Sequence, residues 1–197
     1  MKGDRKQQDL RTLMQAMRLT DGGFVEGARF IASPHCDDRP PGTKIDLLVI
    51  HAISLPPGEF GGPGVIDFFS GRFDSAAHPY YAAIAGLKVS AHFLIRRDGE
   101  VIQFVACGAR AWHAGKSTWR GRQGCNDYSI GIEVEGTDNV PFEDIQYDVL
   151  AGLTRALKTE YPIAEIVGHS DIAPDRKTDP GPNFDWQRYR ALLEKQN

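Results

Sequence analysis

Hydrophobic and polar positions follow two different periods along the chain, and each period predicts a different element. Residues 45–51, IDLLVIH, form an unbroken apolar run, as in a buried central strand. Residues 128–136, YSIGIEVEG, alternate apolar and polar side chains, which predicts a half-buried strand. Residues 88–95 and 100–106 flank Asp98-Gly99, a dipeptide typical of a hairpin turn. The chain is therefore expected to contain several strands, at least two of them antiparallel.

Apolar residues at helical spacing predict the covering helices. The clearest stripe runs from Phe142 to Glu160, and shorter helices are expected at 65–70, 76–85 and 184–195, with a short strand at 164–169. Residues 4–18 fit either an amphipathic helix or a partly ordered tail. Strands mixed with covering helices predict one α/β domain, with a mixed β-sheet flanked by helices. The stripe in 142–160 consists of Ile145, Val149, Leu150, Leu153 and Leu157.

Composition narrows the class of protein. The 197 residues suit a single domain, and a net charge of −3 is too small to indicate a nucleic-acid or membrane partner. The N-terminal segment is charged throughout and lacks the apolar run of a signal peptide, which predicts a cytoplasmic protein. The three cysteines are widely spaced, so reduced thiols are expected rather than a disulfide framework. A monomer is the default expectation.

Two histidines stand at the ends of apolar strands, where rigid backbone gives way to a loop. His51 closes the run 45–51, and His169 closes the run 164–169. Catalytic zinc sites use three protein ligands, commonly imidazole and carboxylate, plus water. A carboxylate is available from the loop that follows His169, but spacing does not choose among its three aspartates, Asp171, Asp175 and Asp179.

Five longer segments carry a resemblance to a known family. The segments VIHAISLPPGEFGG, SAHFLIRRDG, AWHAG, CNDYSIGIEVEGTD and GHSDIAPDRKTDPGP resemble the AmpD family of N-acetylmuramoyl-L-alanine amidases. The similarity runs from about Gly23 to Tyr189. It implies a zinc amidase domain over 22–197, similar in fold to phage-lysozyme amidases and peptidoglycan recognition proteins. It leaves 1–21 as an N-terminal extension of unknown role.

The resemblance also implies the residues of the site. It places one Zn²⁺ per chain on His51, His169 and Asp179, an acid/base glutamate on Glu133 and an active-site lysine on Lys177. Zinc would polarise the amide carbonyl and activate a water molecule, whose proton the glutamate would take. The lysine and the zinc would stabilise the oxyanion.

The implied substrate is a 1,6-anhydro-N-acetylmuramyl peptide returned to the cytoplasm. The bond cut would join the lactyl group to L-alanine, as a step of cell-wall recycling. Its removal would lower the pool of muropeptides that induce β-lactamase expression. All three statements follow from the resemblance.

Three further residues are candidates for substrate contacts. Trp112 and His113, in AWHAG, are expected at the groove wall, and His113 either contacts substrate or orients a metal ligand. Lys88 stands where relatives commonly have an arginine that grips a carboxylate, and lysine lacks the bidentate fork. Gly124 replaces a second such arginine, for which either Arg120 or Arg122 is a substitute from the same loop.

Other classes of function remain as alternatives. A non-catalytic peptidoglycan-recognition module would keep the groove but would typically lose a metal ligand, whereas this chain retains all three. A hydrolase with Ser170 or Cys125 as its nucleophile lacks any nucleophile-elbow motif. A periplasmic amidase would use the same chemistry but would need a signal peptide.

Overall fold

The structure is a computed structural model of the chain and describes residues 17–195. The helix or tail predicted for residues 4–18 lies almost entirely outside the described residues. The longer elements follow the predicted periods, and two separate pairs of short strands complete the fold. The strands are β1 (Arg29–Phe30), β2 (Cys36–Asp37), β3 (Leu47–Ile53), β4 (Phe93–Ile95), β5 (Val101–Gln103), β6 (Arg110–Ala111), β7 (Thr118–Trp119), β8 (Arg122–Gln123), β9 (Ser129–Glu135) and β10 (Glu165–Gly168). The helices are α1 (Gly64–Phe69), α2 (Pro79–Ile84), α3 (Asp144–Glu160), α4 (His169–Ile172) and α5 (Trp186–Glu194), with a 3₁₀ turn at Cys125–Asp127.

Six strands form one mixed sheet in the order β1-β5-β4-β9-β3-β10. Strands β3 and β9 pair in parallel over their full seven residues, and β10 and β4 extend the parallel part on either side. Strand β5 is antiparallel to β4, and its turn contains Gly99 at φ 88°. The predicted hairpin and the predicted mixed α/β sheet are therefore both confirmed.

Helix α3 covers one face of the sheet, as its apolar stripe predicts. At the start of the helix, the Gln146 side chain accepts from the Glu143 amide at 3.0 Å, and the Gln146 amide donates to the Glu143 carbonyl at 3.0 Å. Its apolar side packs against alternate strand residues such as Ile50 and Ile132. Helix α5 packs on α3, where the hydroxyls of Tyr189 and Thr154 share a hydrogen bond of 2.7 Å.

The prediction that β9 is half-buried is wrong, because all seven of its residues are buried. Its apolar positions, including Ile130 and Ile132, face α3 as expected. Its polar positions, including Ser129 and Glu133, are also covered, by the loops and short elements on the other side of the sheet. A polar position in a strand is exposed only where nothing packs over it, and here that face carries the site.

The two histidines lie close to, but not at, the predicted strand ends. His51 is the fifth residue of β3, and His169 is the first residue of α4 rather than the last of β10. Strand β3 alternates, so that Leu48 faces α3 whereas Val49 and His51 face the opposite side. Within residues 17–195, no helix combines the length and the apolar character that a membrane crossing needs.

Candidate active site

Three potential metal ligands meet above the C-terminal ends of β3 and β10. His51 Nδ1 and His169 Nδ1 lie 2.9 Å apart, and each lies 3.1 Å from Asp179 Oδ2. Both histidine side chains are almost fully buried, with exposed fractions of 1% and 4%, whereas Asp179 is 18% exposed. The sequence-predicted set of His51, His169 and Asp179 is therefore brought together, although the three residues come from distant parts of the chain.

The local structure singles out Asp179 among the three aspartates that spacing left open. Its backbone carbonyl accepts a hydrogen bond of 2.9 Å from the amide of Ser170, which ties the loop to the start of α4. The Asp171 carboxylate instead accepts from the amide of Gly168 at 2.7 Å, as a helix cap. Asp175 is exposed on the loop. Asp179 is thus the aspartate that reaches the two histidines.

His51 and Asp179 are held in the unprotonated forms that can bind a cation. Burial lowers the pKa of His51 to about 4, against the opposing effect of Asp179, so that the imidazole is neutral at physiological pH. Burial would raise the pKa of Asp179, but the adjacent His169 and His51 rings outweigh it and lower that pKa below its usual range. Neutral imidazole and carboxylate are the forms that bind Zn²⁺.

The spacing of the three atoms also fits. A tetrahedral zinc ion with bonds of about 2.0–2.1 Å holds its ligand atoms about 3.3 Å apart. The observed separations of 2.9 to 3.1 Å are a few tenths of an ångström shorter. His169 Nε2 lies 3.3 Å from the carbonyl oxygen of Ala114, which only accepts, so the ring hydrogen belongs on Nε2 and Nδ1 keeps its lone pair. The residues present therefore fit a zinc ion.

Glu133 lies beside this cluster on the neighbouring strand. It is the register partner of His51, and its side chain is buried, with 8% of the residue exposed. Its Oε2 atom is enclosed and has no hydrogen-bond partner among the described residues. Burial raises the pKa of Glu133 well above its ordinary value, Asp179 raises it further, and Lys177 opposes both. A buried carboxyl group with an unused oxygen and a raised pKa is typical of a catalytic acid/base.

Glu133 and Glu135 share a face of β9 but have different surroundings. Glu135 accepts hydrogen bonds from the amides of Gly61 and Arg97, at 2.8 Å and 3.1 Å, and lies 3.7 Å from the Arg96 guanidinium. These contacts fasten the loop after β3 to the sheet. Glu135 is therefore occupied by structural contacts, whereas Glu133 is free to act at the cluster.

A cavity of about 390 Å³ opens over the cluster. Lys177, which is half-buried, lines it together with the three metal-ligand candidates and Glu133. The cavity also has apolar lining residues, which come mainly from the loop after β3 and from the region of α1 and α2. The apolar lining residues include Leu55, Pro57, Phe68, Phe69, Ile84, Leu87 and Val89.

Of the three predicted substrate contacts, His113 lines this cavity, whereas Trp112 and Lys88 are not among its described lining residues. His113 lines it, with both ring nitrogens engaged by protein groups. Trp112 is half-buried, donates from its indole nitrogen to Asp37 at 2.9 Å, and is not among the described residues that line the cavity. Lys88 is exposed next to the lining residue Val89. A substrate contact for any of these three stays a prediction.

The two arginines considered as substitutes at the Gly124 loop are engaged elsewhere. Arg122 forms an ion pair with Asp46 at 2.8 Å, and its guanidinium lies over the ring of Tyr128. Arg120 lies 2.5 Å from Glu165. Among the residues that line the cavity in the described part of the chain, neither arginine appears.

Sequence patterns alone did not point to Asn126 and Ser129 as part of the site. The Asn126 side-chain oxygen accepts from the amides of His113 and Ala114, and Ser129 contacts the His113 ring. Asn126 acts through backbone amides distant in sequence, which leaves no local signal. A glycine inside a strand, Gly131, is the one sequence feature that indicates a close approach at this place.

Known proteins match both the sequence and this geometry. The profile of the family described as N-acetylmuramoyl-L-alanine amidase matches residues 41–182. The protein of Escherichia coli K12 named 1,6-anhydro-N-acetylmuramyl-L-alanine amidase AmpD is 58% identical over 180 residues, which cover 90% of this chain and 98% of that protein.

The chain belongs to the AmpD family of N-acetylmuramoyl-L-alanine amidases. It is therefore an enzyme that hydrolyses amide bonds. A crystal structure of a selenomethionine derivative of AmpD superposes with a TM-score of 0.87 at 58% identity, covering 89% of this chain and 99% of that one. The predicted fold class and the predicted family are thus both confirmed.

A more distant relative was solved with a ligand. The Escherichia coli N-acetylmuramyl-L-alanine amidase AmiD, in complex with anhydro-N-acetylmuramic acid-L-Ala-D-γ-Glu-L-Lys as its substrate, has a TM-score of 0.55 and 30% identity. The match covers 88% of this chain and 65% of AmiD. This AmpD-family chain therefore shares its fold with an amidase that binds an anhydromuropeptide.

Proposed function

We propose that the chain is a cytoplasmic, monomeric, zinc-dependent amidase that cuts the bond between the lactyl group of 1,6-anhydro-N-acetylmuramic acid and L-alanine. The observation that carries this proposal is the convergence of His51 Nδ1, His169 Nδ1 and Asp179 Oδ2 within 3.1 Å of one another, beside a buried Glu133. Three lone pairs at this distance repel one another unless a cation or a proton lies between them.

Zinc, when bound, would supply a Lewis acid that polarises the scissile carbonyl and lowers the pKa of a water molecule. Glu133, as carboxylate, takes the proton from the attacking water and then passes one to the leaving alanine nitrogen. The Lys177 ammonium lines the same cavity and stabilises the negative charge that develops on the carbonyl oxygen. Each role belongs to a residue that the fold already holds at the cavity.

The shape of the cavity supports the class of substrate. The lining combines the charged groups with apolar side chains such as Leu87 and Val89. A sugar ring offers an apolar face and a polar edge, so an amphipathic wall of this kind can hold it while the amide bond lies at the charged end. The names of the relatives, which specify a 1,6-anhydro-N-acetylmuramyl group, support the same substrate. By the same likeness, the enzyme would serve cell-wall recycling and lower the muropeptide signal for β-lactamase.

The decisive experiment measures hydrolysis with and without metal. Protein stripped by a chelator is expected to lose activity on an anhydromuropeptide and to regain it with one equivalent of Zn²⁺. His51→Ala is expected to lose zinc binding as measured by atomic absorption. Comparison of anhydro and non-anhydro substrates gives the selectivity for the bridged sugar. A protein that binds the muropeptide with or without zinc but never releases the peptide would be a recognition module, and the proposal would fail.

A further inference from the structure

The two histidines of the proposed zinc site direct their Nε2 atoms, which face away from the cluster, towards one two-residue segment, His113-Ala114. His51 Nε2 lies 2.9 Å from His113 Nδ1, and His169 Nε2 lies 3.3 Å from the carbonyl oxygen of Ala114. The segment is therefore the common partner of two ligands from different elements, strand β3 and helix α4.

A chain of hydrogen bonds runs from His51 through His113 and Ser129 to the carbonyl oxygen of Cys125. The direction of each bond in this chain follows from that last acceptor. Ser129 Oγ lies 2.6 Å from the carbonyl oxygen of Cys125, which only accepts, so the hydroxyl hydrogen points there. Ser129 Oγ must then accept from His113 Nε2, at 3.1 Å. A neutral His113 consequently has no hydrogen on Nδ1, and His51 Nε2 must donate to it. This leaves His51 Nδ1 with its lone pair directed at the cluster.

The Asn126 amide holds the segment in place. Its side-chain oxygen accepts from the backbone amides of His113 at 3.0 Å and of Ala114 at 2.7 Å. The Ala114 carbonyl, on the other side of the same residue, also accepts from Arg176 at 2.8 Å. One side chain therefore fixes both the histidine ring that faces His51 and the carbonyl that faces His169.

Packing leaves the His113 ring little freedom. The ring lies against Gly131 of β9, where a Cβ atom would come within 2.4 Å of the ring carbon Cγ. It also packs edge-on against His51, with ring centroids 5.0 Å apart. The ring is thus enclosed between the strand and the ligand it contacts.

We propose that His113 and the Ala114 carbonyl, held by Asn126, are the positioning groups that fix the ring orientation and tautomer of both zinc histidines. The inference rests on the proposed zinc site, since it assigns these groups a role towards that ion. Outer partners of this kind keep the ligand nitrogen unprotonated and aimed at the metal. Both ring nitrogens of His113 are engaged, Nδ1 by His51 and Nε2 by Ser129, so neither is available to bind a substrate.

The tautomers are measurable in zinc-free protein by long-range ¹H–¹⁵N NMR, at a pH above the ordinary histidine value of about 6.5. In the wild type, His51 and His169 are both expected to carry hydrogen on Nε2. His113→Phe removes the ring nitrogens but keeps an aromatic ring, so His51 is expected to become a mixture of tautomers while His169 stays unchanged. This selective response would not arise from a general loss of structure.

Zinc affinity provides the second readout, by competition with a chromogenic chelator. His113→Phe is expected to weaken zinc binding about 10- to 100-fold. Asn126→Ala is expected to weaken it as well and to disturb both histidines. Asn126→Asp keeps an oxygen that accepts the same two amides and is expected to restore most of the affinity. If His113→Phe does not fold, the comparison of the two Asn126 variants carries the test with the same outcomes.

Two results would overturn the inference. In the first, the tautomer of His51 and the zinc affinity stay at wild-type values in His113→Phe and Asn126→Ala. In the second, zinc affinity is unchanged while KM for the muropeptide rises, which would make His113 a substrate contact. The proposed function fails separately, if the wild type neither binds zinc nor hydrolyses the substrate, because the tautomers are read without metal.

Discussion

His51 and Glu133 are register partners on the parallel strands β3 and β9, and both side chains enter the same cavity. A sheet fixes the distance between neighbouring strands at about 4.8 Å, so this pairing sets the separation of a metal ligand from the acid/base group without help from any loop. Glu135, two residues further along the same face, is not among the described residues that line this cavity, and its carboxylate fastens the loop after β3.

This relationship predicts different effects for metal binding and for turnover. Glu133→Gln keeps the shape of the side chain but removes its ability to take a proton. We expect the zinc content to stay at wild-type level and kcat to fall about 10²- to 10⁴-fold. Atomic absorption and a muropeptide hydrolysis assay measure the two quantities. A variant with near-wild-type kcat would remove Glu133 from the chemistry.

Lys177 is expected to act on the transition state alone. Lys177→Met removes the ammonium from the cavity while keeping much of the apolar stem, so kcat should fall by about 10² with zinc affinity unchanged. Lys44→Ala, at an exposed position away from the cavity, is the matched control and should leave kcat unaltered. An equal loss in both variants would mean that Lys177 contributes only general surface charge.

The sequence predicted the regular elements well because their side chains repeat with the period of the structure. The stripe of α3 and the apolar run of β3 are examples, since each is read from neighbouring positions. The same logic failed for Ser129 and Glu133, whose polar character suggested exposure. They are buried because a second layer of loops covers that face, and alternation within one strand carries no information about that layer.

The residues of the site also fall into those that the sequence indicated and those that it did not. The resemblance to the family pointed to three metal ligands, His51, His169 and Asp179. The structure brings these three side chains together. Spacing alone left three aspartates open, because an irregular loop has no period that would fix its direction. Asn126 was interpreted only as a turn cap before the strand, because its partners in the site are backbone amides, which every residue has.

The buried thiols provide a test of the rival nucleophile. Burial raises the pKa of Cys107 to about 12, and Cys125 is enclosed beside the hydroxyl of Tyr128 at 3.2 Å. A chromogenic disulfide should therefore modify neither thiol in the native protein, and only the half-buried Cys36 should react, slowly. Cys125→Ala should keep the wild-type kcat. A large fall in kcat in this variant would favour a cysteine nucleophile.

The Asp37 carboxylate is expected to stabilise the folded protein at neutral pH and to lose this effect in acid. Hydrogen bonds from Arg110, and then from Trp112, lower the pKa of its carboxyl group to about 2. The unfolded value is about 3.9, so the stabilising contribution is complete above that pH and is lost as the pH falls towards 2. Arg110→Ala should raise the pKa of Asp37, as measured by carboxyl ¹³C NMR titration. Arg188→Ala, which breaks a pair with Asp144, should leave that titration unchanged.

Gly131 links the fold to the metal centre and can be tested without touching a ligand. A methyl group at this position would meet His113 Cγ at 2.4 Å, so the ring, and with it the partner of His51, must move. We expect Gly131→Ala to cost about 1–3 kcal/mol of stability, which lowers Tm by roughly 2–4 °C per kcal/mol, and to weaken zinc binding. Gly108→Ala is the matched control, because nothing lies within 4 Å of its added Cβ. Thermal unfolding and chelator competition measure the two effects. Equal Tm and zinc affinity in the two variants would show that the ring has room to move, and that its packing against β9 does not hold the ligand.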